Sequence, residues 1–353
     1  MKITSIKQNM DKLLDQDFIM ALFNQRLNKF YPDFKQVDGL IFHPYKRHVG
    51  KTSMIMVVEY VLNYLTIDEK IKKINLFSSA HSDGSRTRSF YGQSYLYDHG
   101  FDQGNFLVGR PLFYLDGQFA FFYEAVLGRT FRKVMQEKPD QDFSAILNLA
   151  ARWIKKMHDC PVDQDSKFVF FDFSEMSPKP QKFLDDMSKV YPELGQRLDS
   201  TFHRLADLKK KNFNTFPVSI IHGDYHPENI IVKKLEPDKI KVIDFTDLSL
   251  GDPMVDLGSF IQQIDFMGFE CLSRANINKY KTIFLEYYFN KKFEDIDIND
   301  LNRINLYQAW VVLRTTLLLF YAKSAIHPLG ELIEEIDRYL SLAESSQRKI
   351  NLY

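Results

Sequence analysis

The chain has 353 residues, 45% hydrophobic and 26% charged, a composition suited to a globular protein of about two domains. Forty-six lysines and arginines balance 46 aspartates and glutamates, which excludes a wholly basic nucleic-acid binder. Two cysteines, Cys160 and Cys271, exclude a disulfide-dense secreted scaffold and a four-cysteine zinc site.

In chain order, an amphipathic helix is predicted near residues 11–30, and residues 1–37 read as a helical extension. Residues 38–124 read as a β-rich lobe, with β-prone runs from Asp38 and from Ser53 separated by a polar, glycine-containing turn. Pro111–Tyr123 predicts a hairpin whose Asp116-Gly117 pair suits a turn with positive φ. One helix is predicted over Ser85–Tyr97. From Phe143 the period changes: Phe143, Ile146, Leu147, Ala150, Ile154 and Met157 mark a helix ending near His158. Further helices are expected over Lys182–Lys210, Val255–Gly268, Ala275–Asn290, Asn299–Ala325 and Leu329–Gln347. Short strands are expected at Val218–Ile221, Ile230–Val232 and Ile240–Ile243. The reading is an α+β chain, with residues 125–353 as a larger, mainly helical lobe. No signal-peptide core opens it, and no run approaches ~18 apolar residues, since Arg314 breaks the longest. The expected setting is cytoplasmic, with no membrane or nucleic-acid partner; oligomeric state has no signature.

The chemistry concentrates in Ile221-His-Gly-Asp-Tyr-His-Pro-Glu-Asn-Ile-Ile-Val and Lys241-Val-Ile-Asp-Phe-Thr-Asp. Asp224 falls in a turn, Asn229 opens a strand and Asp244 closes the next. Paired strands lie ~4.8 Å apart, which predicts an oxygen-rich pocket suited to Mg²⁺. Asp224 and Asn229 have the D-x-x-x-x-N spacing of protein kinases, and Asp244-Phe-Thr echoes the kinase metal-binding D-F-G.

With Gly251-Asp-Pro-Met-Val-Asp-Leu-Gly added, residues 221–258 resemble the aminoglycoside phosphotransferase/choline kinase-like family. Glu124-Ala-Val-Leu-Gly and Met157-His158 extend the likeness. The resemblance implies a protein-kinase-like bilobed fold, with a small β-rich N-lobe on the nucleotide side and a helical C-lobe holding the catalytic loop and acceptor. It implies phosphoryl transfer from ATP or GTP to a small-molecule hydroxyl. Asp224 is then the catalytic carboxylate, Asn229 and Asp244 hold Mg²⁺, and His222, His226 and Asp256 support the catalytic loop. The segment Phe122, Tyr123 and Glu124 would be the nucleotide hinge.

The first lobe departs from that pattern. Ser79 stands where a phosphate-binding lysine is expected, and Ser85–Tyr97 contains no glutamate to pair with one. Lys46, Arg47 or Lys51, or else Lys72 or Lys73, would then supply the charge. Two other readings stay open: a catalytically silent nucleotide- or metabolite-binding relative, and a metal-dependent hydrolase, zinc or di-metal, suggested by the alternation of His222, Asp224 and His226 with Asp244 as a possible third ligand. Gly50-Lys51-Thr52 is not a P-loop, because position 45 is tyrosine. Asp252 is expected as the N-cap of the helix containing Asp256. The remaining histidines, at 43, 48, 81, 99, 158, 203 and 327, read as packed or surface residues. No motif identifies the acceptor.

Overall fold

The computed structural model describes residues 3–51, 53–163, 166–172, 179–212, 215–233, 236–323 and 328–352, so Thr52 and His327 lie outside the described residues. The chain divides into two units, Met1–Gly128 with Lys241–Asp247, and Arg129–Ile240 with Leu248–Tyr353.

In the first unit, α1 (Ile3–Asp11) and α2 (Gln16–Arg26) precede β1 (Phe34–Val49), β2 (Met54–Thr66) and β3 (Ile71–His81). Next come α3 (Arg86–Leu96), β4 (Phe106–Val108), β5 (Pro111–Leu115) and β6 (Ala120–Glu124). Five strands form one antiparallel sheet in the order β1-β2-β3-β6-β5. Strict alternation drives its burial. Met54, Met56, Val58, Tyr60 and Leu62 of β2 all turn to one face, each side chain worth ~1.5–3 kcal/mol of apolar burial. Met10, Leu13, Ile19, Leu22, Phe23 and Leu27 complete the same core, so residues 10–27 cover the sheet. The Tyr60 hydroxyl donates to the Leu13 carbonyl at 2.9 Å and so spends its polar end inside that core. The expected helix at 11–30 is α2 flanked by two short 3₁₀ turns, with Asp15 capping it by accepting from Phe18 N at 2.9 Å. The β5–β6 hairpin forms, but the left-handed residue is Phe119 (φ 51°), after a 3₁₀ turn over Asp116–Gln118, and not Gly117.

On the opposite sheet face lie Phe77, Ser79 and His81 of β3 with Phe121 and Tyr123 of β6. Alternation places them there, because Leu76, Ser78, Ala80, Ala120 and Phe122 are buried on the core side. Helix α3 packs on this second face through Phe90, whose ring lies 5.4 Å from Phe121 and 6.3 Å from Tyr114.

The second unit opens with β7 (Arg129–Thr130), α4 (Phe131–Glu137), α5 (Ser144–His158), α6 (Pro180–Val190) and α7 (Pro192–Asn212). It continues through β8 (Ser219–Ile221), β9 (Ile230–Lys233), β10 (Glu236–Val242, its last two residues counted with the first unit) and β11 (Ser249–Gly251). Helices α8 (Met254–Gly268), α9 (Arg274–Phe289), α10 (Ile298–Ala322) and α11 (Leu329–Ala343) close it. The helix expected over Lys182–Lys210 is two. Pro192 lacks an N–H, and Tyr191 before it leaves the helical region at φ −134°, ψ 81°. Gly258 is where α8 meets α10: a Cβ there would stand 2.7 Å from Tyr307 Cβ and 2.9 Å from the Ile304 carbonyl. Among the described residues no helix is long and apolar enough to cross a membrane.

Candidate active site

The loop after β8 is built in the second unit from its backbone outward. Asp256, in the first turn of α8, is completely buried and accepts from the main-chain N–H groups of His222 and Gly223, both at 2.8 Å. Its Oδ2 also accepts from His158 Nε2 at 2.9 Å, and His158 Nδ1 in turn meets the Tyr288 hydroxyl at 2.8 Å. Charge-assisted bonds of this kind fix a glycine-containing loop that has no ladder of its own. Tyr225 anchors the other side. Its buried ring stacks on Trp153 at 5.9 Å and on Phe260 at 5.3 Å, and its hydroxyl donates to the Ala150 carbonyl at 2.9 Å.

Between these anchors Asp224 stays open, its side chain 34% exposed. The Glu228 N–H donates to His226 Nδ1 at 3.2 Å, which leaves Nε2 as the protonated nitrogen, and this donates to Asp224 Oδ2 at 3.2 Å. Arg314 of α10 stands 3.6 Å from Asp224 Oδ1 and donates to the Gly223 carbonyl at 3.2 Å. Burial by itself lifts an acid, but the hydrogen bond from His226 and the charge of Arg314 outweigh it. Asp224 is held well below the usual carboxylate range, a permanent anion at neutral pH. The amide nitrogen of Asn229 donates to the Asp224 main-chain carbonyl at 2.9 Å, which leaves the amide oxygen as its remaining ligand atom.

Asp244 belongs to the segment that clusters with the first unit. It adopts a left-handed backbone (φ 65°), a conformation that costs an L-residue energy and concentrates at functional positions. Its Oδ1 accepts from the Thr246 hydroxyl at 2.5 Å, and its side chain is 52% exposed.

The nucleotide candidates separate by strand face. Phe122 is fully buried in the first unit's core, stacked on Phe113 at 4.7 Å, so its side chain is not available to a ligand. Tyr123 lies on the α3 face, stacked on Phe77 at 5.9 Å. Burial, reinforced by the Asp244 charge, pushes its phenol well up. Glu124 accepts from the Tyr31 hydroxyl at 2.7 Å and from Arg110 at 3.4 Å. Arg47 is paired with Asp11 at 2.9 Å and Lys72 with Asp33 at 2.6 Å, while Lys46, Lys51 and Lys73 are exposed.

Three expectations change. His158 is a buried strut behind the loop, not one of the scattered histidines. Asp252 lies one residue before the α8 cap position, where it accepts from Met254 N at 3.0 Å and pairs with buried Arg303 at 2.9 Å. Burial lifts the Asp252 carboxyl above its ordinary value even so. The zinc reading fails because His222 is fully buried, and no group of three His, Cys, Asp or Glu converges on a metal position among the described residues. Sequence reasoning also missed Arg314, although a lone cation inside the apolar run Trp310–Phe320 was a visible signal.

An anionic carboxylate on a clamped loop thus stands beside an amide oriented by the same loop, on an α+β, protein-kinase-like fold. The model of the APH phosphotransferase enzyme family matches residues 90–278, more than half of the chain, and the chain belongs to that family of small-molecule kinases. No curated protein matches it. Among solved structures, the amicoumacin kinase hAmiN in complex with AMP-PNP, Ca²⁺ and Ami is similar at 14% identity and TM-score 0.54, covering 95% of each chain. Aminoglycoside phosphotransferase APH(2'')-Ib, ADP-bound, gives 14% identity and TM-score 0.51, over 92% of this chain and 98% of that one. An ethanolamine kinase of Plasmodium vivax gives 14% and 0.51, over 87% and 82%. At such identities these likenesses establish the fold.

Proposed function

We propose that this protein transfers the terminal phosphoryl group of ATP or GTP to a hydroxyl of a small molecule in the cytoplasm. The first unit would serve the nucleotide, and the helical unit the acceptor. The observation that carries the reading is Asp224: a permanently ionised, partly exposed carboxylate on a loop held by Asp256. In this role Asp224 accepts a hydrogen bond from the acceptor hydroxyl, aims its oxygen and takes its proton as the new phosphorus–oxygen bond forms, while the γ-phosphorus bond to the bridging oxygen breaks and ADP or GDP leaves. Positioning of this kind supplies much of the catalysis in phosphoryl transfer. His226 and Arg314 keep the carboxylate anionic and fixed, and Asp256, His158 and His222 hold the loop from behind.

Asn229 and Asp244 are the proposed Mg²⁺ ligands. The donor set fits: one amide oxygen whose nitrogen is already committed, and one half-exposed carboxylate, both hard oxygens. When bound, the metal offsets charge on the nucleotide phosphates. The similar structures include one described with AMP-PNP and Ca²⁺ and one with ADP, which supports a nucleotide and a divalent cation here.

Thermal denaturation with nucleotide tests this reading. ATP or GTP with Mg²⁺ is expected to stabilise the protein, by ~2.7 kcal/mol at a hundredfold excess over Kd, and clearly less without the metal. Absence of any shift with either nucleotide would contradict the proposal. A shift without turnover on any acceptor would favour the catalytically silent alternative.

A further inference from the structure

We infer that Arg86, at the first position of α3, is the cation that binds the nucleotide phosphates in place of the absent strand lysine; this rests on the function proposed above. Ser79 sits on the sheet face that α3 covers, paired with Val57 and Phe121, and its short side chain brings no charge there. Arg86 brings one to the same face of the first unit. Its Nη1 lies 3.9 Å from Asp244 Oδ1 and also donates to the Thr246 hydroxyl, which itself donates to Asp244. The guanidinium therefore stands beside the carboxylate assigned to the metal, where the β- and γ-phosphates have to lie if Asp244 is to reach them through an ion.

Two further observations separate Arg86 from Lys46, Arg47, Lys51, Lys72 and Lys73, the cations the sequence offered for this charge. Its side chain is 14% exposed, and its buried Nε has no hydrogen-bond partner among the described residues. A guanidinium offers five donors, so most of its capacity is unspent next to a carboxylate it does not fully engage. The missing helix glutamate also acquires a reason. A lysine on β3 needs a helix acid to aim it, whereas an arginine rooted in the helix is aimed by Thr246 and Asp244. A planar fork also meets phosphate oxygens two at a time.

The test measures affinity for Mg-ADP and for adenosine by calorimetry in the full-length wild type, Arg86→Gln and Arg86→Lys. If Arg86 contacts the phosphates, Arg86→Gln weakens Mg-ADP about 10–100-fold and leaves adenosine unchanged, and Arg86→Lys, which keeps the charge, recovers part of the loss. Equal weakening of both ligands, or an unchanged ratio of the two affinities in Arg86→Gln, overturns the assignment while leaving the kinase reading intact. Should Arg86→Gln not fold, Arg86→Lys with wild-type Mg-ADP affinity and wild-type kcat overturns it, because an ammonium cannot reproduce the fork. If only the guanine nucleotide binds, Mg-GDP and guanosine replace Mg-ADP and adenosine in the same comparison, and a wild type that binds neither Mg-ADP nor Mg-GDP overturns both readings.

Discussion

Asp224→Asn is expected to lower kcat by ~10²–10⁴-fold while Mg-nucleotide affinity stays close to that of the wild type. The amide keeps the shape of the side chain but cannot take the acceptor's proton, and it faces Arg314 without a charge to offer. The carboxylate is held below its ordinary pKa, so its contribution to stability is complete above pH ~4 and disappears as pH falls through the lowered value. The asparagine variant therefore gives up some stability at neutral pH, and its melting temperature has to be followed beside its rate. Arg314→Gln makes the complementary case. With that guanidinium gone the Asp224 pKa rises toward the usual range, so the acidic limb of kcat/KM moves to higher pH. An Asp224→Asn enzyme with wild-type kcat would remove Asp224 from the reaction.

Asp244→Ala is the second large effect. Loss of a metal ligand forfeits several kcal/mol of charge stabilisation, which at ~1.4 kcal/mol per tenfold is a fall in kcat/KM of at least ~10². Here the loss should appear first in binding: the Mg²⁺-dependent part of ATP or GTP affinity disappears and the metal-independent part remains. The left-handed backbone at Asp244 penalises alanine as well. Asp244→Asn, which tolerates that conformation, separates the two effects, since it should relieve the backbone cost and still bind metal poorly. Unchanged Mg-nucleotide affinity in both variants would place the metal elsewhere.

The turn that carries Asp224 and Asn229 was legible in outline because its constraints are local. A strand, a glycine turn and a proline constrain Asp224 and Asn229 within a few residues, so spacing alone carries their geometry. Helix periods were legible for the same reason. What escaped depends on distant parts of the chain meeting. Arg314 reaches the Gly223 carbonyl across 91 positions, and His158 reaches Asp256 across 98. Arg314 has no neighbour that advertises its role, and for His158 only the likeness at Met157-His158 pointed to one. Arg86 was hidden differently: attention to a lysine on β3 directs the search to strands, while the charge sits on the next helix. Phe121-Phe122-Tyr123 shows a third kind of limit. Three consecutive aromatics erase the alternation that tells the faces of a strand apart, so only the packing reveals that Phe122 belongs to the core and Tyr123 to the α3 face. No readable pattern marks an acceptor, because small-molecule pockets draw single side chains from separate parts of a chain.

The most direct measurement is ADP release by the wild-type protein with Mg-ATP or Mg-GTP, run with and without each member of a panel of hydroxyl compounds that includes aminoglycosides, amino alcohols and sugars. The account predicts release that depends on at least one acceptor and disappears when that acceptor's reactive hydroxyl is replaced by hydrogen. Nucleotide binding with no acceptor-dependent release across the panel, or release indifferent to the hydroxyl, would contradict it.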